Sequence, residues 1–213
     1  MLSCMDDAAH DKDHIYRVLY NALEIAKSEN GVDYDVLITA CLLHDIGRRE
    51  QLEDPSVDHA EFGGEKAYIF LTENGKPREF AERVRDCIFT HRFRKSRPPQ
   101  STEAKILFDA DKLDVTGAIG IARTLVYKGA VKSPLYSTDE FGMPTSGEND
   151  ASPSFFQEYN FKLKNLYSLF YTERGAELAE QRRDAARNFY DSISKEVQSA
   201  YINGVSELKK LLE

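Results

Sequence analysis

The last stretch of the chain leaves little freedom of fold. Between Glu173 and Leu212 there is no proline, and Phe189, Ile193, Val197, Tyr201, Val205, Leu208 and Leu212 recur at spacings of three and four. That period gathers side chains on one side of an α-helix and scatters them across a strand. The same period governs earlier segments. Ile15, Val18, Leu19, Ala22, Leu23, Ile25 and Ala26 predict a helix over 10–28, closed by Glu29-Asn30-Gly31. Asp33 is a plausible cap for a second helix over Tyr34 to Ile46. A third is expected over 58–72, with His59, Gly63, Ala67 and Phe70 on one face, and a fourth places Phe80, Val84, Ile88 and His91 on another. Leu107, Asp111, Asp114, Ala118, Ile121 and Leu125 predict one long helix from Thr102 to Tyr127, and an aromatic helix follows near Phe155 to Tyr171. No stretch alternates with period two, and the prolines fall between the helical segments. The expected fold is all-α, a helical bundle with a long C-terminal helix whose stripe is core or the seam of a homodimer.

Composition narrows the partners. Against 28 basic residues stand 36 acidic ones, a net charge of -8, which disfavours a general nucleic-acid binder held by phosphate contacts. Three cysteines, Cys4, Cys41 and Cys87, are too few and too scattered for a disulfide framework, and none forms a Cys-x-x-Cys pair. A reducing cytoplasm fits. Met1 to Asp7 lacks a basic-then-apolar signal, and no apolar run has the length of a membrane span. The 213 residues read as one domain, with a core over about 10–128, a Gly-, Pro- and Ser-rich loop over 129–153 and C-terminal helices over 154–213.

Chemistry concentrates around Cys41-Leu42-Leu43-His44-Asp45-Ile46-Gly47-Arg48. Here an imidazole and a carboxylate end an apolar run, where an unpaired charge is expensive, and Gly47 is expected to close the helix in a left-handed conformation. Residues 48–56 read as a charged loop. His14, His59 and His91 also fall on inward helical positions, as does Asp111, whereas His10 is expected at a solvated helix start. Each alone reads as a core histidine or a capped acid. Together they are hard to satisfy by hydrogen bonding in a dry core, and a metal centre is the economical explanation. Imidazole and carboxylate without thiolate suit manganese, iron, cobalt, nickel or magnesium better than structural zinc. The run Arg92-Phe93-Arg94-Lys95-Ser96-Arg97-Pro98-Pro99 is either a solvated loop or an anion-binding one beside His91.

The ordered set His14, His44-Asp45 and Asp111, the last within Ile106-Leu107-Phe108-Asp109-Ala110-Asp111-Lys112-Leu113-Asp114, resembles the ligand series of the HD-domain superfamily of metal-dependent phosphohydrolases. The resemblance covers about residues 10–128, and Val115 to Arg123 is similar to small stand-alone bacterial members. It implies an HD-domain-like bundle in which His14, His44, Asp45 and Asp111 bind a divalent metal. His59 and His91 resemble the extra histidines that binuclear members use for a second ion and that others turn toward phosphate. Asp45 would also orient the attacking water, so Asp45, His59 and His91 are the candidate catalytic groups, with Arg48, Arg92 and Lys112 the candidate substrate contacts. Gly47 and Arg48 stand where guanosine tetraphosphate hydrolases and deoxynucleotide monophosphatases of the superfamily carry a glutamate, which makes those substrates less expected. His44-Asp45-Ile46-Gly47-Arg48 is similar to the His-Asp-Ile-Gly-Lys form of cyclic-dinucleotide phosphodiesterases, although their Gly-Tyr-Pro signature is missing. The expected activity is hydrolysis of a phosphomonoester or phosphodiester of a nucleotide or other small metabolite. A di-iron oxygenase and a non-catalytic nucleotide-binding sensor are the alternatives.

Overall fold

The computed structural model describes residues 12–94, 96–150 and 153–212, so the readings placed on His10 and Lys95 lie outside the described residues. Its helices are α1, Lys12–Ala26; α2, Tyr34–Leu43; α3, Arg48–Glu53; α4, His59–Glu73; α5, Arg78–Thr90; α6, Thr102–Leu113; α7, Gly117–Ala130; α8, Phe155–Phe161; and α9, Glu173–Leu212. A 3-10 helix covers Leu163–Ser168. Among the described residues the only extended pairing is an isolated bridge between Thr138 and Pro144. The all-α expectation holds, and the long C-terminal helix is present over its expected range. No described helix is long and apolar enough to cross a membrane.

Two compact units make up the chain. The first runs to Asp114 and takes in Phe170–Leu178; the second comprises Val115–Leu169 and the chain from Ala179 onward. In the first, α1 packs on α2 and α6, α2 on α5 and α6, and α4 along α5. Ile15, Val18 and Ile25 of α1, Val36 and Leu37 of α2, Val84 and Ile88 of α5, and Ile106 and Leu107 of α6 are buried. Large-to-small changes at such positions cost about 2–5 kcal/mol, so this core fixes the inner faces that carry the histidines. Asp33 caps α2 as its sequence suggested, accepting from the backbone N–H groups of Asp35 at 3.1 Å and Val36 at 3.2 Å. The second unit has its own cluster of Ile121, Phe155, Phe156, Tyr159, Leu163, Leu166 and Ala186, against which Ile193 and Val197 of α9 pack.

Several expectations are corrected. Residues 48–53 are the short helix α3, not loop; six mostly charged residues offer no apolar stripe to betray it. The helix expected over Thr102 to Tyr127 breaks between α6 and α7. Asp114 turns its carboxylate onto His14 and Arg17, and Gly117 takes φ +61, a conformation that does not continue a helix. The aromatic helix expected to reach Tyr171 ends at Phe161 and passes into the 3-10 segment. Phe70 does not share the buried face of α4 and is exposed. Leu208 and Leu212 of the C-terminal stripe are also exposed, so the core reading of that stripe applies to Ile193 and Val197.

Gly47 is corrected as well. Its φ of -93 is ordinary, and its role is steric. A Cβ on Gly47 would stand 2.6 Å from the carbonyl oxygen of His59 and 2.7 Å from the backbone nitrogen of Gly63. Gly63, on the His59 stripe, is thus matched by a glycine on the opposing segment.

Candidate metal centre

Four imidazoles from four segments meet inside the first unit. His14 comes from α1, His44 is the residue that ends α2, His59 opens α4 and His91 ends α5. All four are buried, as is Asp45. Their rings form a chain, with centroids 5.3 Å apart for His14 and His44, 5.3 Å for His44 and His91, and 5.2 Å for His59 and His91.

Each ring is turned by a bond at Nδ1. His44 Nδ1 donates to the Cys41 carbonyl at 2.8 Å, and His91 Nδ1 to the Ile88 carbonyl at 2.6 Å. His14 Nδ1 donates to Asp114 Oδ2 at 2.7 Å, and His59 Nδ1 to Gln51 Oε1 at 2.6 Å. The Cys41, Ile88 and Asp114 oxygens only accept, so Nδ1 of His44, His91 and His14 carries a proton and Nε2 is the nitrogen left to face inward. Burial pushes His59 down to about 2 and His91 down to about 4, so both rings are neutral.

The four Nε2 atoms converge. His14 and His44 bring theirs to 3.3 Å, and so do His59 and His91. Asp45 joins the two pairs. Its Oδ2 lies 3.6 Å from His14 Nε2 and 3.8 Å from His44 Nε2, while Oδ1 lies 3.4 Å from His59 Nε2 and 3.9 Å from His91 Nε2. Two metal-competent groups result, His14-His44-Asp45 and Asp45-His59-His91, sharing one carboxylate. Asp111 approaches from α6, with Oδ1 3.6 Å from His14 Nε2. A set of imidazole nitrogens and carboxylate oxygens turned toward one another is the chemistry a divalent ion requires, and the residues fit it.

The structure therefore brings together His14, His44, Asp45, Asp111, His59 and His91. The three cations read as substrate contacts are placed less uniformly. Arg48 donates to Gln51 Oε1 at 3.0 Å, and its guanidinium lies 3.1 Å from His59 Nδ1. Arg92 donates to Asp58 at 3.2 Å. The Lys112 ammonium lies 4.9 Å from the Phe108 ring centre, beside Asp111 in sequence.

Two supporting residues carry no distinctive sequence signal. Asp114 was visible only as a second acid in an apolar stripe. It is fully buried and, besides His14, accepts from Arg17 Nε at 2.7 Å and from the Arg17 terminal nitrogen at 3.0 Å. A carboxylate behind a ligating histidine fixes its tautomer and raises its basicity. Asp114→Asn should therefore weaken divalent-metal affinity roughly 10–100-fold, measured by titrating metal-stripped protein; unchanged affinity would remove Asp114 from the site. Gln51, which orients His59, sits in the charged stretch that became α3. Asp109, two residues before Asp111, serves the start of α9 instead: it accepts from the backbone N–H groups of Tyr171 and Thr172 and from the Thr172 hydroxyl at 2.6 Å.

A sequence profile of the HD domain matches residues 12–116. The uncharacterized protein YpgQ of Bacillus subtilis is 29% identical over 196 residues, spanning 90% of this chain and 86% of YpgQ. The crystal structure of YpgQ in complex with ADP superposes with a TM-score of 0.68 over 89% of this chain and 90% of that one. A predicted HD superfamily hydrolase from an uncultured Thermotogales bacterium is 32% identical, with a TM-score of 0.59 over 90% of this chain and 83% of that one. A Lactobacillus plantarum protein is 27% identical and reaches a TM-score of 0.72, covering 92% of each chain.

Proposed function

The chain belongs to the HD superfamily, and from that membership and the geometry of its histidines we propose that it is a metal-dependent phosphohydrolase cleaving a phosphomonoester or phosphodiester of a nucleotide-like small molecule. The observation that carries this reading is Asp45, whose two oxygens each face a pair of imidazole nitrogens. That arrangement suits two divalent ions bridged by one carboxylate, a recurring solution for displacement at phosphorus. Ions held there would supply positive charge that acidifies a water and neutralises phosphoryl oxygens.

The chain's own residues do the rest. His14, His44 and Asp111 would hold one ion, His59 and His91 the other, and Asp45 both. The Nδ1 bonds to Cys41, Ile88, Asp114 and Gln51 keep the rings from rotating, so little reorganisation accompanies reaction. Asp45 would also orient the attacking water. Arg48 tethers Gln51 and with it His59, while presenting its charge beside the second group. Lys112 next to Asp111, and Arg92 next to His91, are placed to meet phosphate oxygens.

A nucleotide substrate is favoured by YpgQ, whose structure with ADP is similar over most of this chain. The test is phosphate release from a panel of nucleotides and simple phosphate esters, with manganese, iron, cobalt, nickel or magnesium added to metal-stripped protein. We expect turnover that depends on the added ion, is abolished by a chelator and is best with a nucleotide. Oxygen consumption with iron in place of hydrolysis would favour the oxygenase alternative, and nucleotide binding without turnover under every metal would favour the sensor.

A further inference from the structure

His59 and His91 both sit at helix ends, the first residue of α4 and the residue that ends α5. Helix ends fray, yet their Nε2 atoms must stay 3.3 Å apart for the second group to exist. Charge flanks the pair: Asp58 precedes His59, and Arg92 follows His91. Arg92 donates to Asp58 Oδ1 at 3.2 Å, and Arg94 donates to Asp58 Oδ2 at 3.1 Å. One carboxylate thus clamps two guanidiniums of the segment that leaves α5. Its Oδ1 also accepts from the backbone N–H of Ala60 at 3.0 Å, capping α4. A few residues on, Arg97 reaches Glu61 at 3.1 Å and lies 4.6 Å from the Phe89 ring centre. The start of α4 is strapped to the end of α5 on the two sides of the histidine pair.

We propose that Asp58 is a positioning residue for the second metal position: by capping α4 while clamping Arg92 and Arg94, it holds His59 and His91 at the separation that an ion requires. This rests on the two-ion reading given above. A residue that only capped α4 would behave differently, because asparagine caps as well as aspartate and lacks the charge that grips the arginines.

The test titrates metal-stripped protein with manganese alone and follows each binding event by calorimetry, with helicity and unfolding midpoint measured in parallel. Wild type is expected to show two events, and His59→Ala identifies the one that belongs to the second position. Asp58→Asn should weaken that event at least tenfold while leaving the other within about twofold. Arg92→Gln should do the same, and the double variant should lose little more than either alone, as expected for partners in one contact. A single event in wild type would overturn the two-ion reading and this inference with it. Two events unchanged in both variants would overturn the inference alone. Loss of both events together with helicity would reduce Asp58 to a structural cap.

Discussion

Asp45→Asn is expected to lower phosphate-ester turnover by about a hundredfold or more, the scale of losing a group that acts in the transition state. Asparagine keeps the size and one neutral oxygen, but it removes the negative charge that faces four imidazole nitrogens within 3.4 to 3.9 Å. Its amide nitrogen would point hydrogens at one pair, where a cation belongs. Both positions should therefore lose ion affinity, unlike Asp111→Asn, which should act mainly on the position shared with His14. The check is elemental analysis together with turnover on the best substrate under saturating added metal. A folded Asp45→Asn protein that retains its ions and its rate would show that the carboxylate does not join the two groups.

The second large effect is steric. Gly47→Ala inserts a methyl group 2.6 Å from the His59 carbonyl oxygen and 2.9 Å from the Gly63 Cα. These are backbone atoms, which cannot swing aside, so the segment after His44-Asp45 and the first turns of α4 must separate. The expected destabilisation is about 3 kcal/mol, a fall in Tm of roughly 6–12 °C for a chain of this size. Separation also draws His59 away from Asp45, so metal at the second position should weaken alongside stability. Thermal unfolding and a manganese titration at a temperature where the variant is folded would check both. An alanine variant that melts with wild type would show that the close approach carries no energy.

These two residues also mark what was legible in the sequence. Helical stripes could be read because a period of 3.6 survives in the sequence wherever a face is buried, and Ile15, Val84 and Leu107 are buried as read. The histidines and acids were legible as a set because their order resembles a known series, although no single one was distinctive. Gly47 was singled out for the wrong reason. A glycine needed for a left-handed φ and one needed for close approach look alike until the opposing chain is known, and here that chain is Gly63. The break at Asp114 was hidden because apolar residues on both sides keep the same period across it, while the cause lies a hundred residues away at His14. Gln51 and α3 were invisible for the opposite reason, being polar and short. The Asp58 clamp joins positions 34 and 36 residues apart, a separation at which charge pairing leaves no trace in a single sequence.

The most direct test is to count ions. Wild-type protein, stripped of metal and titrated to saturation with manganese, should bind two ions per chain, and phosphate release from a nucleotide should rise as the positions fill and vanish on chelation. A chain that binds no divalent ion, or that releases phosphate equally well without one, would contradict the account.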